Sequence, residues 1–470
     1  MPSIARRISV PRLRLLVVAV LLVTPSALQA GDAIADAEPA RPLRLTIEEA
    51  VSRAISASYR IARAERSQEI ASLRGRATRA GRLPKMSVGL GLNQAARGTY
   101  QATPTYTREQ GLTGDFRTGL NVAAQMPIDV SGALGRQVQQ SQITRQIAEL
   151  ETRQARIDVS FEVRAAYIAA LRAQQAVTVE EQAIAAIERL IKLGDAGSQP
   201  FLAVELSAAR QALETSQANA DVALDGLRQW LRVAPEVDLI LTSPLDAPSG
   251  DIASDRLDPI DDRPDIRQAK LRVDQAKIGV KQAGDSRRPS MALNAYFNQA
   301  WTGESAFRPD EGRTRDQGGV IALNLPLYNF DWGQTDAARR IARVQEAQAR
   351  SDLDEQQDRA AYELRQAKST LGRSEARLRA LPDEKEAAAA LRQAEQAFRA
   401  ADGEERRSLL AQVTNARSAW RQARLSALGA RADRAVALLR VARALGQDTP
   451  AGPATESVHA LTEEAADNGA

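Results

Sequence analysis

The sequence predicts a mainly α chain with a small β part, built as two internal structural repeats. In each repeat a helix leads into a β-hairpin and then into long coiled-coil helices. Three observations carry this reading. First, residues 58–94 align without a gap on residues 263–299, a shift of 205 positions with eight identities in 37, among them Ile61/Ile266, Arg82/Arg287, Pro84/Pro289 and Met86/Met291. Second, in each copy a helical pattern stops at the shared proline and gives way to strict alternation. Third, each hairpin is followed by a proline-free tract far longer than a typical globular helix.

The N-terminus comes first. Arg6, Arg7, Arg12 and Arg14 precede an apolar run from Leu15 to Val23, then Pro25 and the small-residue ending Ala27-Leu28-Gln29-Ala30. This order reads as a secretory signal peptide over 1–30 with cleavage after Ala30, the apolar run being about half of what a membrane span needs. These four arginines equal the whole formal net charge of +4, and residues 1–30 hold no acid, so the processed chain is close to neutral. The basic balance is therefore no sign of a nucleic-acid partner. Cysteine is absent, which excludes disulfides, thiol nucleophiles and an N-terminal lipid anchor on cysteine. The one histidine, His459, sits in a polar tail, so no His triad or His metal cluster can form. Neither an enzyme nor a cofactor is expected.

The first repeat spans 31–234, with its hairpin over 85–128. Met86, Val88, Leu90 and Leu92 alternate with small or polar residues, and Leu120, Val122, Ala124 and Met126 repeat the pattern before Pro127. A helical tract then runs from Arg136 to about Leu193, with Ile143, Ile147, Leu150, Ile157, Phe161, Ile168 and Leu171 at coiled-coil spacing. It turns at Leu193-Gly194-Asp195-Ala196-Gly197-Ser198 and returns as an Ala-rich helix. Residues 235–262, rich in Pro, Asp and Ser, read as a linker.

The second repeat, 263–446, has its hairpin over 290–328. Met291, Leu293, Ala295 and Phe297 form one strand; Ile321, Leu323, Leu325 and Leu327 form the other, bringing the strands to four. Gln334 to about Leu381 is helical, with Leu364, Leu371 and Leu378 as its heptad line, and the tip turn lies at Ala401-Asp402-Gly403-Glu404. Residues 447–470 read as a flexible C-terminal tail.

Four strands cannot close a barrel, since the smallest bacterial ones have about eight and an open edge is forbidden in lipid. The hairpins are therefore either completed by other subunits in a membrane or form a soluble β-patch capping a coiled coil. Aromatic placement favours the membrane: ten of the eighteen aromatics lie within 86–134 or 290–333, and Trp301, Tyr328, Phe330 and Trp332 sit near strand ends, where an interfacial girdle belongs.

The twice-repeated order of elements after a signal peptide resembles the TolC-type outer-membrane efflux family over nearly the whole processed chain. Leu45-Thr46-Ile47-Glu48-Glu49-Ala50, Arg263-Pro264-Asp265-Ile266, Leu325-Pro326 and Asp331-Trp332-Gly333 are similar to fragments of that family in order and spacing. The resemblance implies a homotrimer whose twelve transmembrane strands close one barrel, continuous with a helical tunnel through the periplasm. It implies passive conduction in the outer membrane, without catalysis. The expected partners are a periplasmic adaptor protein, an inner-membrane pump or ABC exporter, and outer-membrane lipid. It further implies adaptor docking at the tip turns, here Gly194, Gly197, Ser198, Leu202, Asp402, Gly403, Ser408 and Leu409, although Pro200 and Ala203 stand where the family has polar residues. Acidic rings narrow the family's aperture; Ala390 and Gln393 are not acidic here, which leaves Glu395, Asp402, Glu404 and Glu405 as candidates. The alternative is a periplasmic coiled-coil structural or adaptor protein without a pore.

Overall fold

The structure, a computed structural model, describes residues 42–97, 113–193, 199–245, 260–303, 312–324, 331–401 and 403–447. Strand β1 (Leu43–Leu45) leads into helices α1 (Ile47–Ala57) and α2 (Tyr59–Ala80). The start of α1 explains the Leu45 to Ala50 motif: Thr46 Oγ1 accepts from Glu49 N at 3.2 Å while Glu49 Oε2 accepts from Thr46 N at 2.8 Å. This reciprocal capping box satisfies two otherwise unpaired amides and turns Ala50, Val51 and Ala54 into the core.

Strands β2 (Lys85–Arg97) and β3 (Thr113–Ile128) form the first hairpin, followed by α3 (Ala133–Leu193) and α4 (Gln199–Leu231). After β4 (Leu239–Leu241), α5 (Pro264–Gln282) opens the second repeat, with β5 (Ser290–Gly303) and β6 (Gly312–Asn324) as its hairpin. The chain continues as α6 (Gln334–Ala380), α7 (Glu384–Ala400) and α8 (Gly403–Ala444). The repeat is kept to the residue: α2 and α5 begin at Tyr59 and Pro264, and β2 and β5 at Lys85 and Ser290, both 205 apart.

Two features correct the sequence reading. The described residues contain six strands, not four, because β1 and β4 pair in parallel, with Leu43 opposite Leu239 and Leu45 opposite Leu241. Three-residue strands are too short to show alternation, so β4 was invisible inside the expected linker. The α3 seam also differs. Ile157, Ile168 and Leu171 are buried as expected, but the innermost positions are Val159, Val163, Tyr167 and Ala170, while Ile143, Ile147, Leu150 and Phe161 are half-buried.

That core lies where α1, β1 and β4 cover α3, α4 and the end of α8. Tyr167 pins it: its hydroxyl donates to Leu45 O at 2.9 Å and accepts from Ser243 N at 3.1 Å. Along α3, 61 residues at 1.5 Å rise give a rod of about 90 Å. Its counterpart is interrupted: Pro382 cannot continue α6, and Asp383 restarts the chain by accepting from Lys385 N at 2.9 Å to cap α7. At the far end, Arg263 joins α8 to α5 by donating to Ala444 O at 2.9 Å, and Gly446 makes the reversal at φ +69°.

Candidate functional site: a two-faced sheet on paired helical rods

The long strands form one antiparallel sheet in the order β2-β3-β5-β6, so the two hairpins join through β3 and β5. Directly paired residues share a face, and the register sorts the sheet into two unlike faces. One rung holds Met86, Ala124, Ala295 and Gly319; the next holds Val88, Val122, Phe297 and Gln317; the next Leu90 and Leu120 with Gln299. Toward the helices the same face carries Met126, Leu293 and Ile321, then Ile128, Met291 and position 323. Every described residue named above from the strand alternation, Leu92 and Leu323 included, occupies this one face.

The opposite face is mostly small or polar, with Tyr296 and Val320 as its larger members. Its rungs include Ser87, Ala123, Tyr296 and Gly318, and then Gly89, Asn121 and Asn298. Gly318 leaves room there for the Tyr296 ring: a Cβ on it would lie 2.8 Å from the Tyr296 hydroxyl, so a larger residue needs that side chain to shift. Among the described residues nothing covers the apolar face, with Met86 75%, Val88 71% and Leu90 78% exposed on the edge strand and Ile321 65% exposed on the other. An uncovered apolar band of this size on a sheet needs a non-aqueous or protein partner. Among the described residues no strand lies beside the outer edges of β2 and β6, and both run the full sheet height.

The junction between sheet and rods is built twice in the same way, and sequence reasoning missed half of it. Asp129 accepts from Leu134 N at 3.1 Å and Gly135 N at 2.7 Å at the start of α3, and Arg82 lies 3.8 Å from its carboxylate. In the second repeat Asp331 accepts from Thr335 N at 3.0 Å and Gly333 N at 3.2 Å at the start of α6, with Arg287 at 3.6 Å. The Thr335 hydroxyl, which also donates to it, is the largest of the contacts that hold the Asp331 carboxyl below the usual carboxylate range. The Arg82/Arg287 identity thus marks one junction used twice; the repeat alignment flagged the arginines but not their aspartates. Arg136 and Asp285, 2.5 Å apart and mostly covered, tie the two junctions together. Here Trp332, 89% exposed and at φ +49°, stands at the base of the sheet, followed by Gly333 at φ +85°. Trp301 is in β5 opposite Thr118, and Leu325, Tyr328 and Phe330 lie outside the described residues.

At the other end of the rods, Gly194, Gly197, Ser198 and Asp402 also lie outside the described residues, between α3 and α4 and between α7 and α8. Gly403 is the first residue of α8, and Glu404, Glu405 and Ser408 are exposed on its first turns. Leu202 is fully buried with Leu190, Phe398, Leu410 and Val413, so it holds the two helical hairpins together instead of facing a partner; Leu409 lines the rim of this cluster. Glu395 turns to Arg399 at 3.7 Å and is only 19% exposed, on the same side as Arg417.

Just beyond lies a half-buried ion network, with Glu180 and Arg417 covered and their partners partly exposed. Arg421 makes a two-pronged contact with Glu180 at 2.6 and 2.7 Å, and Arg417 reaches Glu205 at 2.8 Å. Burial pushes the Arg417 guanidinium down from its ordinary value, against the opposing pull of Glu205. These pairs tie α8 to α3 and α4, and so link the two helical hairpins. Among the described residues no cluster of His, Cys, Asp or Glu could hold a metal, and no helix is long and apolar enough to cross a membrane.

The sequence profile of the outer membrane efflux protein family matches residues 260–447, the second repeat. No curated protein sequence matches the chain. Among solved structures, the outer membrane protein VceC of Vibrio cholerae superposes with TM-score 0.64 at 17% identity, over 86% of this chain and 97% of VceC. The CmeC outer membrane channel of Campylobacter jejuni gives 0.63 at 18%, covering 86% and 87%. The open state of the MtrE outer membrane channel of Neisseria gonorrhoeae gives 0.65 at 16%, covering 86% and 90%. At these identities the likeness establishes the fold.

Proposed function

We propose that this chain, whose second repeat is an outer membrane efflux protein domain within an efflux-channel fold, is one protomer of an outer-membrane channel of a tripartite efflux or type I secretion system. The observation that carries the reading is the sheet with one apolar face, one small polar face and two open edges. In lipid every backbone group must be paired internally, so an open sheet is excluded and a closed barrel is the only β solution. β2, β3, β5 and β6 alternate in direction, so β6 of one copy meets β2 of the next antiparallel and each further copy repeats the same joint. Three copies give the twelve-stranded barrel of the family. The apolar face meets lipid, the Gly- and Asn-lined face meets water, and the rods continue the lumen into the periplasm.

Such a channel conducts passively and is no enzyme; energy and choice of cargo come from an inner-membrane pump or ABC exporter through a periplasmic adaptor. We place the adaptor at the two tip turns, around Gly194 to Ser198 and Asp402 to Ser408, and the aperture beside Glu404 and Glu405, which are exposed where Glu395 is not. A periplasmic scaffold without a pore is the poorer reading, since it leaves the apolar sheet face in water.

Purified chain reconstituted in a planar bilayer tests this. Discrete conductance steps are expected; oligomers that stay in the aqueous phase and conduct nothing would overturn the channel reading. A Gly403→Trp variant separates the docking claim. It is expected to conduct in the bilayer yet to lose export in cells, and unimpaired export would remove the second tip turn from the docking surface.

A further inference from the structure

A groove runs between α3, α6 and α8 where α8 ends and α5 begins. Its part nearest the end of α8 is a cavity of about 580 Å³ lined by Arg263, Arg440 and Arg443 together with Asp265 and Glu363. The next part, about 550 Å³, shares Thr370 and Arg440 with the first and adds Arg172, Arg373 and Arg377 against a single acid, Asp433. Arg263 is spent on Asp265 and Glu363, Arg443 on Asp158, and Arg377 on Asp433. Arg172, Arg373 and Arg440 are exposed, and no carboxylate among the described residues pairs with them. The groove therefore carries an uncompensated positive charge along its floor and walls.

The chain itself supplies the complement. Helix α8 ends at Ala444, which lines the first cavity, and Gly446 turns the backbone against Arg263 and Pro264, so the polypeptide leaves the described structure at the groove's mouth. Residues 448–470 carry Asp448, Glu456, Glu463, Glu464 and Asp467 and no Lys or Arg. Arg443 to Asp433 is about 15 Å along α8, a distance that five or six extended residues span. A segment returning along the groove from Gln447 is thus long enough for its first acid, Asp448, to reach Arg440 and for later acids to reach Arg172 and Arg373.

We propose that the acidic C-terminal segment 448–470 is the occupant of this arginine groove, folding back from the end of α8 to bridge α3 and α6. The inference stands on the protomer and does not depend on the barrel reading. Ion pairs of this exposed kind are individually weak and screened by salt, so the docking is a reversible, salt-sensitive contact.

The absence of native cysteine allows a clean test on the full chain in its oligomeric state. A nitroxide on Ala460→Cys reports the tail's mobility by EPR. The label is expected to be immobilised at low salt. It is expected to be released to free-tail mobility in about 1 M salt, where the Debye length falls to about 3 Å. The same release is expected from Arg172→Gln/Arg373→Gln/Arg440→Gln and from Glu456→Gln/Glu463→Gln/Glu464→Gln, with circular dichroism showing both variants folded. A label as mobile in the parent as in the arginine variant overturns the proposal and leaves the groove to an acidic segment of another protein. A label that stays immobile in the arginine variant overturns it too, by showing that the tail packs elsewhere.

Discussion

Val122→Arg is expected to remove assembled channel from the outer membrane while Asn121→Arg leaves it there. The two residues are neighbours on β3, but Val122 shares a rung with Val88 and Phe297 on the apolar face, and Asn121 shares one with Gly89 and Asn298 on the small polar face. An arginine facing lipid near the middle of a barrel costs about 2–4 kcal/mol per protomer, and a trimer carries the cost three times. On the lumen side the same guanidinium stays hydrated. Heat-modifiable oligomer in outer-membrane fractions measures the first effect, and conductance of the surviving Asn121→Arg channel measures the second, which is expected as altered ion selectivity. Equal tolerance of both arginines would mean that the two faces do not meet different solvents.

The second large effect is expected near the tips. Arg421→Ala leaves the Glu180 carboxylate, in a residue 2% exposed, without its two-pronged partner inside the four-helix end of the rods. Removing one member of a fully buried ion pair costs about 3–5 kcal/mol, because the other charge stays desolvated and unpaired; with Arg421 itself 38% exposed, the lower end of that range is expected. Thermal unfolding of the purified oligomer should register that loss. Replacing both residues, Glu180→Leu with Arg421→Leu, is expected to restore most of it, since no charge is then stranded. A single variant as stable as the parent would mean that Glu180 reaches water or a second cation in the assembled protein.

Much of this architecture is legible in the sequence, and the reason is periodicity. The 205-residue shift marks where α2 and α5 and where β2 and β5 begin, because both copies must end a helix and start a strand at the same proline. Alternation marked the apolar face, since a strand cannot turn Met86, Val88 and Leu90 to one side without turning Ser87 and Gly89 to the other. What stayed hidden depends on contacts between distant segments. Nothing in either hairpin reports that β3 pairs with β5, or that a run as short as Leu239–Leu241 finds β1. The tip residues show the same limit: Leu202 reads as part of a docking turn, but the second hairpin buries it against Phe398 and Val413. Likewise Arg82 and Arg287 stood out as an identity, while their meaning lies in Asp129 and Asp331, which stand at unequal spacings in the two halves.

Ring closure is the centre of this account, and one cross-linking measurement reaches it directly. With no native cysteine to interfere, a chain carrying Ser87→Cys on β2 together with a cysteine scanned along the exposed edge of β6, beginning at Val320, can form disulfides only between copies whose edges meet. In outer membranes under oxidation, the matching β6 position is expected to give covalent species that stop at three chains, because the third joint closes the ring. Cross-links that stop at two chains, extend beyond three, or form at no position along β6 would contradict a barrel shared among three copies.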